Sequence, residues 1–198
     1  MARLASSLPL LWLIMLVPGI GVVRGLVPGN AYYAEMMQVS GLWSIYLLVL
    51  TLSVTPAVLA LGRLGIGRAV ARWLMKRRRH FGLGSFAYGA LHLVHYLVEE
   101  ASVTVVLHQA IRWDYASGWL AFAVMAMLAA SSNQRAVRRL GRRWKVVHRW
   151  VYVAAGAAFL HWALFEYWFA VVAPWLVALL GAKAVHLALR YGPRRSAV

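Results

Sequence analysis

Cysteine is absent, which excludes a disulfide framework, a thiolate metal site and an iron–sulfur cluster, whichever compartment the loops face. Acidic residues are nearly absent too: five Asp and Glu stand against 21 Lys and Arg in 198 residues, for a formal net charge of +16. No glycine-rich fingerprint follows a strand-like run, so a built-in nicotinamide-binding domain is excluded. What fills the chain instead is apolar. It is 63% hydrophobic with a mean hydropathy of +0.67, far more than a soluble domain of this length needs for its core. The basic excess would suggest nucleic acid in a soluble protein; confined to loops between apolar runs it does not, and no nucleic-acid partner is expected. The chain reads as an all-α integral membrane protein in the lipid bilayer.

Apolar segments long enough to span or nearly so set the expected elements. The first runs from Leu8 to Val27; its basic start resembles a signal peptide, but it lacks an Ala-x-Ala cleavage signal and is kept as a span, kinked at Pro18-Gly19. A polar, turn-rich stretch from Pro28 to Ser40 precedes a second span, Gly41 to Leu61, with a bend at Thr55-Pro56. A basic connection, Arg63 to Arg79, leads to a third, Phe81 to Val98. Ala101 to Tyr115 is too short and polar to cross and reads as an interfacial piece. Ser117 to Ala130 is the fourth span. A second basic loop, Arg135 to Arg149, opens the fifth, which ends at Glu166, and Ala170 to Leu189 is the sixth. Six spans place both termini on one side. That side holds 18 of the 21 Lys and Arg, and all five acids, Glu35, Glu99, Glu100, Asp114 and Glu166, fall on the other. The positive-inside rule then predicts a six-helix transmembrane bundle with both termini cytoplasmic.

An imidazole inside an apolar span is costly and marks a functional site by default. His92 lies well inside the third span, His161 inside the fifth and His148 near the fifth's basic edge. Neutral imidazole is a common ligand of haem iron, and bundles build cofactor sites from facing helices. Taken singly, each is as readily a hydrogen-bonded interhelical side chain; three together favour ligation. On one straight helix the 13 positions from His148 to His161 separate them by about 20 Å and about 140°, so both cannot point inward unless the helix distorts, for which Ala154 to Ala158 offers a place. His92 falls between the two in depth, leaving its partner open. His92, His95 and Glu99 could instead bind zinc, although the His-Glu-x-x-His pattern is missing; a transporter relaying protons through His92, His161 and Glu99 is another reading. His95 is otherwise a packing residue or a support for a ligand, His80 a solvated interfacial residue or a flavin or quinone contact, His108 solvated or close to a second haem, and His186 structural. Arg77 to Arg79 and Arg138-Arg139 are first of all topology determinants against anionic lipid, and a few could hold the phosphate of a flavin mononucleotide, FMN. The tryptophans and tyrosines read as interfacial belts.

Arg78-Arg79-His80-Phe81-Gly82-Leu83 leading to Tyr88-Gly89-Ala90-Leu91-His92, the Ala129-Ala130-Ser131-Ser132-Asn133 end of the fourth span, and Arg139-Leu140-Gly141-Arg142-Arg143-Trp144-Lys145-Val146-Val147-His148-Arg149-Trp150-Val151-Tyr152 with His161 together resemble the MsrQ (YedZ-like) family. This is the haem-binding membrane subunit of the bacterial periplasmic methionine sulfoxide reductase system, within the ferric-reductase-like transmembrane class. The resemblance covers nearly the whole chain, residues 1–198, as one domain. It implies haem b held by His92, His148 and His161, and FMN at the cytoplasmic side with Arg78 and Arg79 as contacts. It further implies a multi-pass protein of the bacterial inner membrane that is not itself the catalyst. Electrons would come from a cytoplasmic flavin reductase or the quinone pool and pass to a separate periplasmic molybdopterin-containing subunit that reduces methionine sulfoxide in oxidised proteins. Where oxidases of the wider class carry another His 13 or 14 residues beyond His92, this chain has Val105 and Val106.

Overall fold

The computed structural model describes residues 7–26, 33–166 and 169–191. Among them the elements are helical: α1 Leu8–Gly25, α2 Tyr33–Arg63, α3 Arg68–Glu100, α4 Val103–Gln109, α5 Trp113–Ala130, α6 Gln134–Leu140, α7 Arg143–Arg149, α8 Val151–Phe165 and α9 Phe169–Tyr191. Arg3, Pro28, Tyr167-Trp168, Arg194 and Arg195 lie outside the described residues.

Hydropathy underestimates the second and third helices. Tyr33 to Ser40, expected as a polar loop, is the first part of α2. Ala34, Met36, Met37 and Gln38 favour helix, and Glu35 sits in the first turn where a carboxylate meets the positive end of the dipole. Arg68 to Arg79, expected as a connection, is the first third of α3. Arg, Lys, Met and Ala are good helix formers, so charge ends the membrane crossing without ending the helix. With 33 residues α3 is about 50 Å long, against roughly 30 Å of hydrocarbon. The link that remains is Leu64 to Gly67, a reversal in which Gly65 and Gly67 take φ of +68° and +66°, values glycine adopts without steric cost. Pro18 and Pro56 both sit inside unbroken helices, as membrane helices tolerate when neighbours take up the freed backbone groups.

Among the described residues, four helices are long and apolar enough to cross a membrane: α1, α2, α3 and residues 171–188 of α9. A fifth candidate is α5 continued by α6 across a 92° bend. There Ser131 to Asn133 interrupts the helix, and the Asn133 side chain caps α6 by accepting from Ala136 N at 2.8 Å. The remaining expected span, α8, has 15 residues. Its Ala154 to Ala158 stretch is regular helix; the break falls upstream, at Trp150, whose N–H turns back to Val147 O.

Two helix pairs organise the bundle. α2 and α3 pack along their length, and Ser44 and Ser85 lock them by reciprocal bonds: Ser44 Oγ donates to Ser85 O at 2.9 Å and Ser85 Oγ to Ser44 O at 2.7 Å. Small hydroxylated side chains serve this purpose in membranes because they let backbones approach and leave no polar group unpaired. α5 and α8 form the second pair, with Val124, Met125, Leu128 and Ala154 buried between them. α9 lies on α2 and α8 through Ile45, Val49, Phe159, Trp162 and Val172. α1 is fastened to α3 by Tyr88, whose hydroxyl donates to Met15 O at 2.6 Å. The two pairs touch each other far less than their own members do, and the space left between them is a cavity.

Candidate functional site

That cavity has a volume of about 500 Å³, within the range of small-molecule and cofactor sites. His92 from α3 and His161 from α8 both line it. His92 Nδ1 lies 2.9 Å from Met37 O on α2, and His161 Nδ1 lies 2.7 Å from Asp114 O on α5. A carbonyl only accepts, so each Nδ1 carries the proton and each Nε2 carries the lone pair, without a protein partner among the described residues. Metal-ligating histidines are oriented in this way, by donation of the other ring N–H to a carbonyl or carboxylate.

The ring centres are 6.1 Å apart, with planes crossing at 81°. Two imidazoles that close in one cavity can both reach a single group lying between them.

Two glycines make that placement possible. A Cβ at Gly118 would sit 2.8 Å from His161 Nδ1, and one at Gly41 would sit 3.1 Å from His92 Nδ1. Neither glycine is evident as a site residue from spacing; the signal available was an isolated Gly inside an apolar helix, which costs about 1 kcal/mol against Ala and is kept where something approaches closely.

His95 stays out of the cavity. It is fully buried, its Nδ1 returns to Leu91 O of its own helix at 2.9 Å, and its ring packs against Tyr33, whose hydroxyl donates to His95 O. Its Nε2 is buried without a partner among the described residues. Glu99 is exposed, and no group of three metal-ligating side chains of the zinc type comes together among the described residues. The zinc reading of His92, His95 and Glu99 fails because His95 faces α1 and α2 while His92 faces the cavity. His108 is exposed on α4.

His148 belongs to a different place. It lines a second cavity of about 450 Å³ at the basic end of the bundle, with Arg78, Arg79, Trp144, Lys145 and Arg149. Among the described residues no carboxylate lines this cavity. Arg78 is fixed by Nε to Thr51 O and a terminal nitrogen to Thr55 Oγ1, both at 3.1 Å. The His148 ring stacks on Trp144 at 3.9 Å, its Nδ1 is 3.2 Å from Trp144 O and its Nε2 is 3.3 Å from Ser132 Oγ. Burial, and secondarily the positive charge of Arg78, holds the His148 imidazolium acid below its ordinary range, against the opposing pull of the Trp144 carbonyl. Thus the five sequence candidates divide: His92 and His161 share one cavity, and Arg78, Arg79 and His148 share the other.

Residues 40–159 match the family described as ferric reductase like transmembrane component. Two proteins named protein-methionine-sulfoxide reductase heme-binding subunit MsrQ, from Yersinia pseudotuberculosis and Yersinia pestis, are each 32% identical to the chain over 199 residues. The alignments cover 95% of this chain and 86% and 85% of those proteins. No solved structure matches.

Proposed function

This chain belongs to the ferric-reductase-like transmembrane family and, within it, to the MsrQ family, and on that premise we propose that it is a haem-binding electron-transfer subunit of a methionine sulfoxide reductase system. The observation that carries the reading is the His92–His161 pair: two imidazoles from separate helix pairs, each with Nδ1–H on a backbone carbonyl, 6.1 Å apart in one cavity. His92 and His161 would hold haem b through Nε2, and the haem, when bound, supplies a site that gains and loses single electrons. The chain's own part is to fix both rings, exclude water with Leu42, Ile45, Phe122 and Met125, and set the polarity around the site.

The second cavity suits a phosphate-bearing flavin such as FMN, because Arg79, Lys145 and Arg149 offer cations and Trp144 an aromatic face. His148 is assigned to that cavity's occupant and not to the His92–His161 pair. Counting α1, α2, α3, α5, α8 and α9 as six spans puts the basic ends and both termini in the cytoplasm and the acidic ends in the periplasm of a bacterial inner membrane. Electrons would enter from a cytoplasmic flavin reductase or the quinone pool and leave to a periplasmic molybdopterin-containing subunit, where methionine sulfoxide is reduced. This chain then performs no substrate chemistry.

The test is a reduced-minus-oxidised absorption spectrum of the purified protein. Soret and α bands of b-type haem that disappear in His92→Ala and His161→Ala support the assignment; a colourless native preparation sinks it.

A further inference from the structure

The two helix pairs hold their imidazoles by one device, used twice. On α2 the Met37 carbonyl that accepts from His92 Nδ1 at 2.9 Å also accepts from Ser40 Oγ at 2.6 Å, three residues on, and Gly41 follows. On α5 the Asp114 carbonyl that accepts from His161 Nδ1 at 2.7 Å also accepts from Ser117 Oγ at 2.9 Å, again three residues on, and Gly118 follows. These are the only two Ser-Gly pairs in the chain, and both serines are buried. In each pair, one helix supplies the carbonyl, the hydroxyl and the glycine, and its neighbour supplies the histidine.

A hydroxyl buried in a helix ordinarily turns back to a carbonyl three or four residues earlier. Thr51 and Ser131 do so, on Leu47 O and Leu128 O, where no imidazole arrives among the described residues. Ser40 and Ser117 differ in that their acceptor is the carbonyl on which an imidazole already rests. A carbonyl oxygen has two lone pairs, so a second donor draws on density that the imidazole N–H otherwise has to itself. Polarisation of Nδ1–H by its acceptor raises the basicity of the opposite ring nitrogen. Each serine limits that polarisation.

We propose that Ser40 and Ser117 are positioning residues which, by sharing the carbonyls of Met37 and Asp114, set how strongly His92 and His161 donate through Nε2 to the cofactor of the cavity, and so raise its reduction potential. The inference rests on the haem reading above. Stronger donation by an axial imidazole favours the oxidised, electron-poor state, and hydrogen bonding behind the ligand is one of the levers a protein has on that balance. Removing a serine hydroxyl leaves its carbonyl to the imidazole, strengthens the donation and lowers the potential. No bond forms or breaks and no proton moves; only the ratio of the affinities for the two oxidation states changes. The two sites differ in degree. Met37 O is held more closely by Ser40 than by His92, whereas Asp114 O is held more closely by His161 than by Ser117. Ser40 Oγ also stands 3.4 Å from His92 Nδ1 itself, so Ser40 has the larger hold on its imidazole.

The test is a redox titration of the haem-loaded protein at one pH, followed at the α band. Ser40→Ala should raise the ratio of ferric to ferrous haem affinity by about tenfold, the lower end of what a partner behind a metal ligand is worth, and tenfold lowers the midpoint potential by about 59 mV for one electron. Ser117→Ala should act in the same direction by a smaller factor, with haem per polypeptide native in both. The two serines work on separate ligands, so the double variant should show the product of the two factors. Ser44→Ala controls for packing: it breaks the bond to Ser85 O in the same contact of α2 with α3 and should lower the melting temperature while leaving the potential native. Ser117→Thr keeps a hydroxyl able to bond the same carbonyl and should lie closer to native than Ser117→Ala. An unchanged potential in both alanine variants, a rise in place of a fall, or an equal shift in Ser44→Ala each overturns the proposal. Protein that binds no haem before any substitution fails the parent reading instead, so the two failures are distinguishable.

Discussion

Gly118→Ala should cost the protein haem without unfolding it. The added Cβ would lie 2.8 Å from His161 Nδ1, 2.9 Å from Cε1 and 3.2 Å from Cγ, so to reach an ordinary contact of 3.4 Å the ring must retreat by about 0.6 Å, a shift felt in a close-packed interior. The retreat loosens the 2.7 Å bond from Nδ1 to Asp114 O that aims Nε2 into the cavity. Loss of such an orienting bond typically lowers metal affinity by about 10–100-fold, or about 1.4–2.8 kcal/mol. The helix itself gains from the change, since Ala is favoured over Gly by about 1 kcal/mol. The assay compares haem retained per polypeptide, and its rate of transfer to an excess of a haem-scavenging apoprotein, for native, Gly118→Ala and Gly156→Ala proteins. Gly156 has nothing within 4 Å of its would-be Cβ, so Gly156→Ala should hold haem as the native protein does. Native haem affinity in Gly118→Ala would refute the reasoning, because the steric contact would then have no bearing on ligation.

Gly41→Ala meets His92 at 3.1 and 3.2 Å and should produce a smaller version of the same loss, seen as a displaced α band and a haem affinity between those of native protein and Gly118→Ala. His95→Ala should lower the melting temperature, because it empties a fully buried site, while leaving haem per polypeptide unchanged; loss of haem would place His95 among the ligands. Arg78→Ala removes the bonds to Thr51 O and Thr55 Oγ1 and should release flavin, read by fluorescence of the protein-free filtrate, at constant haem content. In flavin-free protein His148 should destabilise the fold in acid. Its folded pKa is depressed, so as pH falls from about 6.5 the unfolded chain binds the proton first and stability declines until the folded value is passed. Melting temperatures at pH 7.5 and 5.5 should therefore differ less in His148→Gln than in native protein, and an equal difference would contradict the assigned environment.

The cost of placing charge or an imidazole in hydrocarbon is a property of single residues and short windows. That is why the all-helical membrane character, the segregation of Arg and Lys from the five acids, and the candidacy of His92, His148 and His161 could be read in the chain before any packing was known. The same local view failed at Tyr33 to Ser40 and Arg68 to Arg79, where polarity marked the edge of the apolar window but the backbone continued as helix. Which imidazole faces His92 was decided by the tertiary structure. Periodicity fixes a residue's angle about its own helix axis; it does not fix how that helix is rotated against its neighbours, and a break at Trp150 cancels the angular relation between His148 and His161 altogether. Only the packing of α2 with α3 and of α5 with α8, with Gly41 and Gly118 leaving room for the two imidazoles, brings two rings 55 and 47 residues away from their hydrogen-bonding carbonyls to 6.1 Å from each other.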